Sequence, residues 1–220
     1  QSALAQGASK VKPGFLWDRA GNQQRDHGQY DTPTPCLSAK SATCAIRSET
    51  FHSVSGFDPA YYILGEETDV AWRVWLSGLE VWYVPTAKSW HAFGCPELKP
   101  KQEFYRNDRI FYCGCRNYLS LLWTNLGTAR LLGILPLHLS AWAVAVIGFL
   151  LRQDVAPAVC IMQGMRDFVY SVPNLQRKRS HIQSTRQISD RDLFKHIYYS
   201  PPISYYLHRM WRYWVTQLHG

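Results

Sequence analysis

Two adjacent acids, Glu66 and Glu67, open a segment that reads as a helix from Glu66 to Ser77. Acids crowd its first turn, where the helix dipole favours them, and Gly78 marks its end. A carboxylate held ionised and oriented in this way is suited to taking a proton from a hydroxyl group. On the same helix Asp69 and Arg73 lie four residues apart, the spacing of an internal ion pair. Asp58 follows Gly56-Phe57 at a turn and reads as structural. His91 stands alone after a strand and a proline, so it is either an ordinary loop residue or a ligand.

Other arrangements of reactive residues are weaker. Cys113-Gly114-Cys115, with His91 and Cys95 upstream, lacks the C-x₂-C and H-x₃₋₅-H spacing of structural zinc modules. The six cysteines are irregularly spaced and no secretory signal opens the chain, so reduced thiols in a cytosolic setting are expected. Asp190-Arg191-Asp192 has the spelling of an Asp-x-Asp metal motif, but it falls at a helix start in a basic stretch and reads as a cap. There is no Gly-rich phosphate loop, Gly-x-Ser-x-Gly or His-Glu-x-x-His.

The elements that must position these residues fall into three zones: 1–100, 101–128 and 129–220. The first mixes short helix and strand signals with Gly, Pro and Asp turns, as in an α/β domain. Arg47 to Val54 reads as a short helix with Ser48 as N-cap and Gly56 after it. Leu79 to Val84 reads as a strand that Pro85 stops. The middle zone is charged, then aromatic, and is expected to be a connecting helical segment.

The last zone is apolar, then basic. Leu131 to Leu151 is uncharged, bracketed by Arg130 and Arg152, and as a helix would reach about 30 Å, one hydrocarbon thickness. Val155 to Met165 is too short to return across a bilayer, and a lone span would put the basic tail outside, against the positive-inside tendency. An in-plane or re-entrant helical pair is therefore favoured over a single span. From Gln176 to Gly220, eight Lys/Arg face two acids, and Ile203 to Leu218 has the apolar stripe of an amphipathic helix. Aromatic-plus-basic composition suits an anionic membrane surface.

The stretch from Ala42 to Gly94 resembles the family-two glycosyltransferases with the GT-A fold, especially the rhamnosyltransferase-like group. The residues that carry the resemblance are Arg47, Phe51, Gly56-Phe57-Asp58, Tyr61-Tyr62, Glu66, Asp69, Arg73, Gly78, Tyr83, Pro85, Ala87 and His91, in order and at matching spacing. Asp18-Arg19-Ala20-Gly21-Asn22 and His27 to Asp31 look like the preceding loop, and Arg116-Asn117 like the Arg-Asn that follows. The likeness covers roughly residues 11–125.

The resemblance implies an α/β fold: an incomplete, Rossmann-like GT-A domain in its C-terminal half, followed by an α-helical membrane-associating region. It implies inverting transfer of a sugar from a nucleotide-sugar to a polysaccharide or glycolipid acceptor at the cytoplasmic face of the membrane. The family's general base is the second acid of Glu-Asp, which places the role on Glu67, with Glu in place of Asp; Glu66 is the alternative or a partner. Asp69, Arg73 and Trp90 are the expected substrate contacts. His91 is the expected ligand of a divalent metal (Mn²⁺ or Mg²⁺) or a contact to the diphosphate. Most of that metal's ligands would come from an Asp-x-Asp in a nucleotide-binding half. No such motif ends a strand here, and the chain begins with Gln1, so the expectation is a fragment inactive by itself. The rival readings are a non-catalytic membrane-docking protein and a nucleic-acid binder. The second has no groove-reading motif to support it.

Overall fold

The structure is a computed structural model that describes residues 7–8, 26–40, 42–89 and 109–197. In chain order the elements are β1 (Gly7–Ala8), β2 (Thr34–Pro35), β3 (Ser38–Ala39), α1 (Ser48–Ser53), a 3₁₀ turn (Pro59–Tyr61), α2 (Glu66–Leu76), β4 (Trp82–Tyr83), α3 (Arg109–Asn125), α4 (Thr128–Leu151), α5 (Val155–Ser184) and α6 (Asp190–Ile197). Among the described residues helices dominate. Strands are confined to two antiparallel pairs, β1 with β3 and β2 with β4. The α/β expectation therefore holds only as a thin strand layer beside α2.

The strand expected over Leu79–Val84 narrows to Trp82–Tyr83. Its partner β2 is equally short, Thr34–Pro35, with Pro35 opposite Trp82. One further bond, from Cys36 N–H to the Val81 carbonyl at 2.9 Å, continues the pairing irregularly. The Trp75 indole N–H reaches the Cys36 carbonyl at 2.9 Å, and Ser38 and Thr68 share a hydroxyl contact at 3.3 Å. Residues 36–39 thus lie across α2.

In α1 the N-cap is Arg47, with no side-chain cap bond, and Ser48 is already helical, which corrects the expected Ser48 cap. Gly56, at φ +60°, returns its N–H to the Phe51 carbonyl at 2.8 Å and ends the segment as expected. Helix α2 runs Glu66–Leu76, with Ser77 as C-cap and Gly78 at φ +82°. Its inward face carries Trp72, Trp75 and Leu76, all but fully buried. These pack in one core with Leu37, Tyr61, Leu121, Leu122 and Leu126, and with Leu131, Leu193, Phe194 and Ile197 from beyond the expected boundary at 128–129. The three zones read from the sequence therefore share a core.

Helices α3, α4 and α5 form an up–down–up bundle. Phe111 meets Phe149 edge-on at 5.2 Å and Tyr118 meets His138 at 4.9 Å, which runs α4 antiparallel to α3. The apolar Val155–Met165 stretch is the start of a 30-residue helix, about 45 Å long, not a short element of its own. Gly164 lets α5 approach α3: an added Cβ there would lie 2.8 Å from the Tyr112 carbonyl oxygen and 3.1 Å from Cys115 Cβ.

The basic stretch after Gln176 is not a free tail as far as Ile197. Arg179 is buried and donates to the Trp123 and Leu126 carbonyls at 2.6 and 2.5 Å, and Lys178 pairs with Asp58. Arg186 pairs with Asp190, and Lys195 with Asp192. Three of the eight expected lipid-facing cations, Lys178, Arg179 and Arg186, thus tie elements of the fold together, while Lys195 pairs within its own helix. Ser189 caps α6, accepting from Asp192 N–H at 3.1 Å and donating to its carboxylate at 2.6 Å. Asp190 accepts instead from Gly127 N–H at 2.8 Å, at the start of α4. The segment 203–218 lies outside the described residues. No disulfide joins the five described cysteines, and burial pushes the Cys115 thiol up to about 12, leaving it unreactive.

Candidate functional site

The carboxylates Glu66 and Glu67 sit where the chain leaves a tightly turned loop. Tyr62 and Leu64 hold φ of +52° and +68°, and Gly65, the N-cap of α2, holds +100°. Positive φ is strained for the first two and easy for the glycine. The loop is clamped from α3. The Asn117 side-chain amide faces the carbonyls of Tyr61, Ile63 and Leu64 at 2.8, 2.8 and 2.9 Å. The Arg116 guanidinium orients Asn117 through its Oδ1 at 2.9 and 2.8 Å and reaches the Ala60 carbonyl. Asp58 accepts from Ala60 N–H at 2.9 Å and starts the 3₁₀ turn, the structural role expected of it.

Both glutamates are half-buried. Oε2 of each is fully shielded and meets no hydrogen-bond partner among the described residues. Burial raises the Glu67 carboxyl above the ordinary glutamate value; the charge of Glu66 raises it further, and the charge of Lys40 opposes both. Cys44 lies on this side too: partial burial pushes its thiol up, and the charge of Glu67 adds to that. Thr43, next to Cys44, shares a hydroxyl contact with Ser89, two residues before His91. The result is a partly desolvated carboxylate pair at a helix N-terminus, flanked by one lysine. Such a pair can hold one proton between its members and accept another from a neighbouring hydroxyl.

Asp69 and Arg73 are placed differently. Arg73 donates to Asp69 through Nε at 3.0 Å and Nη2 at 2.7 Å, and to the carbonyls of Gly56 (2.7 Å) and Val54. Asp69 also accepts from the Asn125 amide at 3.0 Å and the Tyr61 hydroxyl at 3.4 Å. The ion pair foreseen from the spacing is present, and it joins α2 to α1 and α3. Both residues line a cavity of about 670 Å³, together with Phe57, Asp58, Lys178 and His181. Glu66 and Glu67 are not among its walls, so the expected base lies outside the cavity that Asp69 and Arg73 line.

Trp72 and Trp75 are core residues, and Trp82 is half-exposed with its indole N–H on Glu80 at 2.7 Å. Trp90 and His91 lie outside the described residues. Among the described residues no group of three or more His, Cys, Asp or Glu could hold a metal ion.

Sequence reasoning did not place Lys40 and Cys44 beside Glu67, nor Lys178 and His181 in the cavity wall. Arg116-Asn117 was marked by its motif, but nothing in its spelling announced a clamp on residues 60–64. The chain matches no protein-family model, no curated protein and no solved structure.

Proposed function

We propose that this chain carries the acceptor-side part of an inverting, membrane-associated glycosyltransferase of GT-A type, with Glu67 as general base. In this reading the oxygen of an acceptor hydroxyl attacks the anomeric carbon of a nucleotide-sugar and the bond to the nucleotide diphosphate breaks. The hydroxyl proton passes to Glu67. Glu66 keeps the carboxylate of Glu67 basic by repulsion, and Lys40 limits that effect. The arrangement of Gly65, the α2 N-terminus and the Arg116–Asn117 clamp holds the pair in place. The observation that carries the proposal is the pair of shielded Glu66 and Glu67 oxygens at the first turn of α2. They sit within the motif order that resembles the family.

Membranes from cells producing the protein, supplied with radiolabelled nucleotide-sugars, test it. Transfer of label to glycan or glycolipid should fall by about 10²–10⁴-fold in Glu67→Gln, the usual contribution of a general base. Unchanged transfer in Glu67→Gln would sink the assignment.

A second reading has its own support. The outer face of α4 is apolar and exposed, as a non-catalytic membrane-docking protein would require. Absence of any sugar transfer, with membrane binding intact, would favour it.

A further inference from the structure

Helix α4 turns a long uncharged stripe to the outside. Leu132 (71 % exposed), Val144 (62 %), Ile147 and Leu151 (79 %) lie along it, with Gly133, Pro136, Ser140 and Ala143 between them. No charged residue occurs between Arg130 and Arg152, although the 24-residue helix is about 36 Å long. Across the turn at 152–154, Val155, Val159 and Met162 of α5 are also exposed. Monomeric soluble proteins rarely leave a continuous apolar surface of this length in water.

Length and composition would let α4 cross a bilayer. Its neighbours argue otherwise. The inner face of α4 is fastened to the bundle through Leu131, Ile134, His138, Val146 and Phe149. Gly114 lies against Trp142, near the middle of α4. At that level α3 carries Arg116, and α5 brings Asp167, paired with Arg166, to the Tyr112 hydroxyl. The Arg166 side chain is 59 % exposed. If α4 stood upright in a bilayer, α3 and α5 would stand with it, and these charges would lie at hydrocarbon depth, where ionised groups are strongly disfavoured. A helix lying along the surface exposes one face to acyl chains and keeps the charged side of the bundle in water.

We infer that α4 is a monotopic lipid contact, lying in the plane of one leaflet with the Leu132–Leu151 stripe at the headgroup–acyl boundary. The arginines at its two ends, Arg130 and Arg152, suit anionic headgroups of the same leaflet. The inference takes up the membrane association included in the proposed function and is independent of its chemistry.

The test uses the full chain with vesicles of phosphatidylcholine, with and without phosphatidylglycerol. A fluorophore placed at Leu132, Val144 or Leu151 is read by lipids carrying a quencher at graded acyl depth. All three positions should report the same shallow depth; a crossing helix would report Val144 as deep and the two ends as shallow, and would overturn the orientation. Flotation with anionic vesicles should fall by about tenfold or more in the double variant Val144→Asp/Ile147→Asp. It should persist in Val84→Asp, an exposed site just after β4. No flotation of the wild-type chain would overturn the proposal. So would sedimentation showing a dimer that the double variant splits, which would make a second copy the occupant. Flotation intact in a chain that transfers no sugar would leave this inference standing and remove the enzymatic one.

Discussion

The side-chain amide of Asn117 donates to the carbonyl of Leu64 at 2.9 Å, one residue before the glycine that starts α2. With its companion contacts to Tyr61 and Ile63, it fixes a loop in which Tyr62 and Leu64 both hold positive φ. Such backbone persists only where surrounding structure over-determines it. The bundle therefore sets the position of the carboxylate pair.

Replacing Asn117 by Leu should destabilise the protein by about 2–3 kcal/mol, since buried carbonyls lose their donor and the loop strain is no longer held. Chemical denaturation measures this. An unchanged midpoint would show that the clamp does not hold the loop.

Arg73→Met should cost about 3–5 kcal/mol, because it leaves Asp69 charged and buried and strips the Val54 and Gly56 carbonyls of their donor. Arg73→Lys should recover little of this, because a single ammonium cannot reproduce the forked contacts. If Arg73 acts only on substrate, the variant will instead keep its melting temperature and raise KM.

Two Gly-to-Ala changes should differ in sign. At Gly164 the new methyl meets the α3 backbone, so a loss of about 1–3 kcal/mol is expected. At Gly133 there is open space, so the change should be neutral or stabilising by up to about 1 kcal/mol. Thermal unfolding of the pair checks the α3–α5 crossing, and equal effects would refute it.

Glu67→Gln should leave the protein as stable or more so at neutral pH, even as transfer is lost. The native carboxyl is raised above its unfolded value, so below both values it carries no penalty. Stability then declines as pH rises from the unfolded value through the raised native one. The variant removes that decline, which a pH series of melting curves would reveal. In the wild type, the acid limb of the transfer rate should lie above the ordinary glutamate range. Lys40→Met should move it to higher pH, because the opposing charge is gone. A limb that stays put would dissociate Lys40 from the site.

Much of the helical half was legible because its signals are local. Acids in the first turn and Gly78 after the last marked α2 within one residue, and the uncharged run before Arg152 marked α4. The four-residue spacing of Asp69 and Arg73 foretold their ion pair. The expected strand shortened because its length depended on a partner some fifty residues away, β2, which is itself only two residues long. Likewise the apolar start of α5 was read as a separate element, since composition changes at Arg166 while the helix continues.

By itself the sequence determined which residues are able to exchange a proton, which run is free of charge, and where helices begin and stop. These depend on residue type and near-neighbour spacing. Only the tertiary structure decided which charges are used up. Lys178, Arg179, Arg186 and Lys195, read as a basic tail, meet their partners through helix packing and local turns that composition does not reveal. It also left the Glu66–Glu67 pair out of the cavity beside Asp69 and Arg73; Glu67, two positions before Asp69, points to another face of the helix.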